Sequence, residues 1–200
     1  ASIFGQQVNN YIIGNEVTSI GRYAFYGSTK LTSLIIPSTI KTIGADAFGG
    51  CNALNVVNIN SDYIVSQSYT SVYNLKTIFG SQVGNFIVGD SVKSVGANAF
   101  YGCTSKIKLP HDIVSIGPNA FKNCTGLEVV SISKDIKSIG ESAFEGCTNL
   151  SKVIVPNISS WCDLVFNNPA ANPLTYARHI YSDEETEIME IVIPEGVTSI

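Results

Sequence analysis

Charge is scarce in this chain. Only 14% of its 200 residues are Asp, Glu, Lys or Arg, and 12 basic residues stand against 16 acidic ones. A formal net charge of -4 without a basic tail excludes a chain that seeks nucleic acid through its phosphates. Histidine is nearly missing, with only His111 and His179. Neither stands beside a nucleophile in a recognisable motif, so a Ser-His-Asp or Cys-His site has little to be built from and no enzyme is expected. The five cysteines include no C-x-x-C pair, which disfavours a zinc site. Long apolar runs are absent: stretches such as 153–155 fall far short of the roughly 20 residues that cross a bilayer. The chain also opens directly into patterned sequence. The expectation is that any export signal has been removed or never existed.

What is present is apolar and repetitive. Hydrophobic residues make up 44% of the chain, with 17 glycines and many Ser, Thr and Asn, a composition that folds and is not disordered. The string Ile-Gly-x-x-Ala-Phe-x-x-Cys stands at 43–51, 116–124 and 139–147, with close variants at 20–28 and 95–103. The second unit in full places apolar residues at Leu31, Leu34, Ile36, Ile40, Ile43, Ala47, Phe48 and Cys51. That spacing is a leucine-rich repeat. The same slots recur at Val8, Tyr11 and Ile13, at Leu54, Val57 and Ile59, and at Val83, Phe86 and Val88. A fifth unit, shortened by two residues, runs through Ile107 and Leu109, and later units begin at Leu127, Leu150 and Ile188.

Each slot has a physical reason. The last two apolar positions of L-x-x-L-x-I are two apart, the period of a strand, so one face points inward and the other outward. The Ile-Gly turn and the Ala-Phe-x-x-Cys segment return the chain along the far side. Glycine is expected there for its backbone freedom, and Phe fills the middle of the coil. One coil cannot bury its own face. About eight stacked strands give a repeat solenoid on the order of 40 Å long, with short parallel β-strands on the concave side and mostly non-helical convex segments.

Two stretches break the period. Residues 61–82 form an irregular third unit, after which Ile78, Phe79, Gly80, Gln82 and Val83 echo Ile3, Phe4, Gly5, Gln7 and Val8. Residues 156–187 form an expanded unit that carries Trp161, Cys162, Asn167, Asn168 and His179 and is expected to bulge on the outer face. The whole chain reads as a single array of about eight units. It stops at Ile200 in mid-repeat without a polar cap, so it is expected to be a piece of a longer protein.

The strings I-P-x-x-I-x-x-I-G-x-x-A-F-x-x-C at 36–51 and 109–124, and their first half at 193–200, resemble the BspA-type leucine-rich repeats of bacterial and protozoan surface proteins. The segment 158–181, with a Trp, then Asn-Pro-Leu, then a Tyr ahead of Ile-Pro-Glu-Gly-Val, resembles a longer unit of gut Bacteroides-type members. The resemblance implies a secreted or surface-anchored, adhesin-like protein. It would contact a host or microbial surface protein or glycan, without cofactor, nucleic acid or membrane insertion of this segment. It brings no catalytic residues.

Candidate chemistry is then confined to a few places. Cys51, Cys103, Cys124 and Cys147 share one slot, filled by Ser28 in the first unit, and read as small apolar residues inside the coil. Cys162 lies outside that slot, beside Trp161. The acidic run Asp183, Glu184, Glu185 and Glu187 fits no EF-hand spacing and reads as a solvated turn between two strands. On the sheet, the outward column is Ile12, Ile35, Asn58, Ile87, Lys108, Ser131, Ile154 and Val192, beside a column through Asn85, Lys106, Val129 and Lys152. Lys106, Lys108, His111, Lys134 and Lys152 gather on repeats five to seven as a positive area. The concave-face candidates are Ile35, Ile87, Lys106, Lys108, Lys152 and Ile154, since apolar columns rimmed by polar residues mark interaction sites. Two roles from other classes also fit an array of this kind. One is a structural spacer that holds another domain away from a cell surface; the other is an intracellular scaffold.

Overall fold

A computed structural model describes residues 8–155, 157–193 and 195. In chain order its elements are β1 (Ser19–Ile20), β2 (Ser33–Ile36), β3 (Thr42–Ile43), β4 (Val56–Ile59), α1 (Asp62–Ser66), α2 (Leu75–Phe79), β5 (Asn85–Val88) and β6 (Ser94–Val95). There follow β7 (Lys106–Lys108), β8 (Ser115–Ile116), β9 (Val129–Ser131), β10 (Ser138–Ile139), β11 (Lys152–Ile154), α3 (Ile158–Cys162), a 3-10 turn (Pro169–Ala171), α4 (Leu174–Ala177) and β12 (Ile180–Tyr181).

The longer strands pair in parallel as β2-β4-β5-β7 and as β9-β11, the latter extended by the two-residue β12, and the other two-residue strands pair as β1-β3 and β6-β8-β10. Register follows the slot arithmetic. Leu34, Val57, Phe86 and Ile107 align on the inward face, and Ile35, Asn58, Ile87 and Lys108 align on the other. The inward residues are almost wholly buried, together with the Ala and Phe of each return segment. This is a leucine-rich-repeat fold with short parallel strands, each coil burying the face of its neighbours.

An aromatic spine runs down the axis. Phe25, Phe48, Phe79, Phe86, Phe100, Phe121 and Phe144 follow one another at centroid distances of 5.1 to 6.1 Å. The irregular third unit keeps the spine unbroken by supplying Phe79 from α2. That helix is started by a capping box in which the Asn74 side chain accepts from the Thr77 amide and the Thr77 hydroxyl accepts from the Asn74 amide. The Ser61 hydroxyl starts α1 in the same manner, accepting from the Ile64 amide.

The glycine of the Ile-Gly turn has a different cause from the one expected. Left-handed backbone falls elsewhere, on Asp46, Asn98, Asn119 and Ser142 just before Ala-Phe, and on Gly50, Gly102 and Gly146 just before the cysteine slot. From the second unit on, the turn glycines are required by crowding, while nothing lies within 4 Å of a Cβ at Gly21 in the first. A Cβ at Gly117 would lie 2.6 Å from the Ala97 amide nitrogen, and one at Gly140 would lie 2.3 Å from the Pro118 nitrogen. The turns at Gly44, Gly96, Gly117 and Gly140 lie directly on the backbone of the coil before them.

The four slot cysteines lie inside the coil. The thiols of Cys51, Cys124 and Cys147 donate to the carbonyls of Phe25, Phe100 and Phe121 on the preceding coil, at 3.1, 2.7 and 3.1 Å. Burial pushes the Cys51 and Cys124 thiols up and takes Cys147 to about 12. Cys162 is half-buried at the end of α3, where its neighbour Trp161 packs on Phe166 at 5.4 Å.

The expanded unit serves two sides of the array. Its 3-10 turn stacks on the seventh coil, where the Phe144 amide donates to the Ala170 carbonyl and the Asn168 side chain bonds Ser142. Its last part does not bulge outward. β12 joins the main sheet beside β11, and the acidic run forms the turn after it, closed by an antiparallel bridge between Tyr181 and Glu187. Ile3, Phe4, Gly5 and Gln7, and the end of the eighth unit from residue 196, lie outside the described residues.

Candidate binding groove

The ladder of longer strands is interrupted once. β7 pairs with β5, β9 pairs with β11, and among the described residues no ladder joins β7 to β9. The two-residue strands on the other side run unbroken from β6 through β8 to β10. The shortened fifth unit accounts for the position of the break. Leu31, Leu54, Val83, Leu127 and Leu150 fill the first apolar slot of their units and are buried. The fifth unit, two residues short, offers only Ser105 there, whose hydroxyl donates to the Val83 carbonyl. With no large side chain in that slot and too little chain to carry β7 alongside β9, the strands part. An open groove of 610 Å³ is the result.

Five of the six residues singled out from the sequence line this groove: Ile87, Lys106, Lys108, Lys152 and Ile154. Ile35 does not. It is 56% exposed, but it lies on β2, separated from Ile87 by Asn58 of β4. Ile154 stands in the expected column but is only 4% exposed, which corrects the reading of it as an open surface residue. Its register neighbours, Ser131 on one side and Tyr181 on the other, flank it, so it is part of the groove's floor.

The positive area is also more balanced than a count of lysines suggests. Lys106 Nζ lies 3.0 Å from Glu128 Oε1. Lys152 Nζ donates to the Glu184 carbonyl and sits 4.2 Å from the centre of the Tyr181 ring, a cation–π arrangement. Lys134 pairs with its neighbour Asp135 and takes no part in the groove. His111 bridges the two halves, with Nδ1 3.0 Å from Ser131 Oγ and Nε2 3.7 Å from a Glu184 carboxylate oxygen. Lys108 is exposed and makes no ion pair among the described residues. The sequence reading missed Glu128 and Glu184. Both were visible as acidic residues, but their place opposite the lysines is set by contacts between one repeat and another.

Chemically the groove has an apolar floor of Ile87, Val129 and Ile154 and a rim of lysines, one histidine and two carboxylates. Such a surface can hold an elongated ligand by burial along its length and orient it by charge at the rim. No group of three or more His, Cys, Asp or Glu able to hold a metal occurs among the described residues. No helix among them is long and apolar enough to cross a membrane.

The BspA-type leucine-rich repeat region matches this chain at residues 3–85 and 79–183, with six copies of the repeat. Among solved structures, the chain is similar to a leucine-rich repeat protein from Bacteroides ovatus, with 33% identity over 70% of this chain and 35% of that one, and a TM-score of 0.48. It is also similar to a leucine-rich cell surface protein from Faecalibacterium prausnitzii, with 30% identity over 71% and 40% of the two chains and a TM-score of 0.35. Pneumococcal vaccine antigen PcpA shows 21% identity over 70% and 37%, with a TM-score of 0.36. The chain thus spans well under half the length of each of these solved proteins. No curated protein matches it.

Proposed function

Because the chain belongs to the BspA-type leucine-rich repeat family, we propose that it is a non-catalytic recognition module of an extracellular or cell-surface protein, which binds a protein or glycan through the groove beside β7. The observation that carries this reading is the groove itself: a break in an otherwise regular ladder, 610 Å³ in volume, floored by apolar side chains and rimmed by charge. A repeat array with only a structural task has no need of such a break, because its stability rests on neighbouring coils staying in register. The surface placement is supported by the resemblance of the repeats to those of surface proteins.

Binding of the purified chain to a panel of matrix proteins and of acidic and neutral glycans, at low and high salt, tests the proposal beside a Lys106→Glu, Lys108→Glu double variant. Salt-sensitive binding that the variant loses, with circular dichroism unchanged, supports the groove as the recognition site. Silence across the panel, or equal binding by the variant, counts against it and favours the spacer reading.

A further inference from the structure

Resting on that reading of the groove, we infer that the acidic turn after β12 is an internal cover that holds the place of an acidic, extended segment of a partner protein. The turn comes from the expanded unit beside the seventh repeat, yet its Glu184 reaches back to the fifth, where the carboxylate lies 3.7 Å from His111 Nε2. The same residue's backbone carbonyl accepts from Lys152 Nζ. One residue of the chain thus presents a carboxylate to a rim histidine and a peptide carbonyl to a rim lysine. That pair of groups is what an acidic residue of an extended polypeptide would present, as the turn, itself a polypeptide segment, does.

The turn is separately held in shape. Asp183 Oδ1 accepts from the amides of Glu185 and Thr186 at 2.9 and 2.8 Å, and the Ser182 amide donates to the Thr186 carbonyl at 3.0 Å. From Asp183 to Glu187 it is exposed to solvent, so Glu184 reaches the groove without being packed into the core. Its hold is two polar contacts at the rim, weak enough for a partner to displace. Lys108, which the turn leaves unpaired, is the cation at which an incoming acidic segment first lands.

The test uses a fluorescently labelled ten-residue peptide of alternating Glu and Val, with a Lys-Val peptide of equal length as control. Binding is followed by anisotropy for the full chain and for its Glu184→Gln, Asp183→Ala and Lys108→Glu variants. Removing the competing carboxylate or loosening the turn should tighten the acidic peptide roughly two- to fivefold, the size expected of an exposed ion pair. Lys108→Glu should weaken it, and the Lys-Val peptide should bind none of the forms. Equal affinity for the wild type and both turn variants, with loss only in Lys108→Glu, overturns the cover while leaving the groove's recognition of acidic peptide intact. Absence of binding in every form overturns the inference as a whole, and the panel described above still decides whether the groove recognises some other ligand.

Discussion

Gly126 stands directly on the backbone of Ser105: a Cβ placed on the glycine would lie 2.0 Å from the Ser105 carbonyl oxygen and 2.4 Å from that of Thr104. The two residues meet at the base of the seam, where the shortened fifth unit is pulled against the sixth. No flexible side chain is available to give way, because the obstructing atoms are backbone. Gly126→Ala should therefore cost about 1–3 kcal/mol, as overpacking does. Urea unfolding checks this, with Gly14→Ala as the comparison, since nothing lies within 4 Å of a Cβ there.

The aromatic spine carries a second prediction. Phe121 is fully buried between Phe100 and Phe144, stacked at 5.5 and 5.6 Å. Phe121→Ala removes a ring with neighbours on both sides and leaves a cavity that the coils cannot collapse into without losing register. A loss of about 3–5 kcal/mol is expected.

Thiol chemistry separates the cysteines. Cys51, Cys103, Cys124 and Cys147 have almost no exposed surface, and burial holds Cys147 at about 12, so it stays protonated at pH 8, whereas Cys103, drawn down to about 7 by its hydrogen bond with the Cys124 thiol, is protected by its burial alone. The half-buried Cys162 is the accessible one. Alkylation with iodoacetamide at pH 8 should label Cys162 first, with the other four reacting only in denaturant. Peptide mapping by mass spectrometry reads the order. Fast native labelling at Cys124 or Cys147 would contradict the packing described for the slot.

The repeat made a large part of this fold legible, and for a physical reason. Leu34, Ile36, Phe48 and Cys51 each answer a demand local to one coil, so their spacing alone assigns them to the interior. The groove was harder. The two-residue shortening before Ile107 was visible, but its consequence depends on whether β7 can reach β9, which is a relation between coils. The burial of Ile154 and the pairing of Lys106 with Glu128 and of Lys152 with Glu184 depend in the same way on residues 22 or more positions apart. A column read from slots gives direction along the sheet. It does not give the neighbours that cover it.

One half-buried ion pair links stability to pH. Lys122 Nζ lies 2.8 Å from Glu145 Oε2 on the next coil, and the Lys122 ammonium, aided by Ser142, holds the Glu145 carboxyl below its ordinary value. A carboxyl whose folded value is depressed stabilises the fold above its unfolded value, and that contribution is lost as pH falls through the folded one. Lys122 is raised by the same contact, so its share is lost only as pH climbs above the ordinary lysine range. Glu145→Gln should thus unfold at lower urea than the wild type near pH 7, and the difference should vanish as pH falls below the depressed Glu145 value. A gap that persists in acid would mean that packing, and not charge, holds the pair.

The shortened unit can be repaired, and the repair tests what made the groove. Inserting Leu-Glu between Ser105 and Lys106 gives Cys-Thr-Ser-Leu-Glu-Lys-Ile, which restores the spacing found at Cys124, Leu127 and Val130. The new leucine should enter the stack between Val83 and Leu127, worth about 1.5–3 kcal/mol if fully buried, and β7 should then lie alongside β9. β9 bonds β11 through the Glu128 carbonyl and the Ile132 amide. The amides of Val129 and Ser131, which alternate with these, therefore face the seam. Hydrogen exchange at those two amides should slow in the repaired chain, the thermal midpoint should rise, and binding of any ligand that uses the groove should fall. If exchange at Val129 and Ser131 is unchanged, the missing residues are not what parts the strands, and the cause lies instead in the expanded unit, whose β12 and acidic turn engage the other side of the same groove.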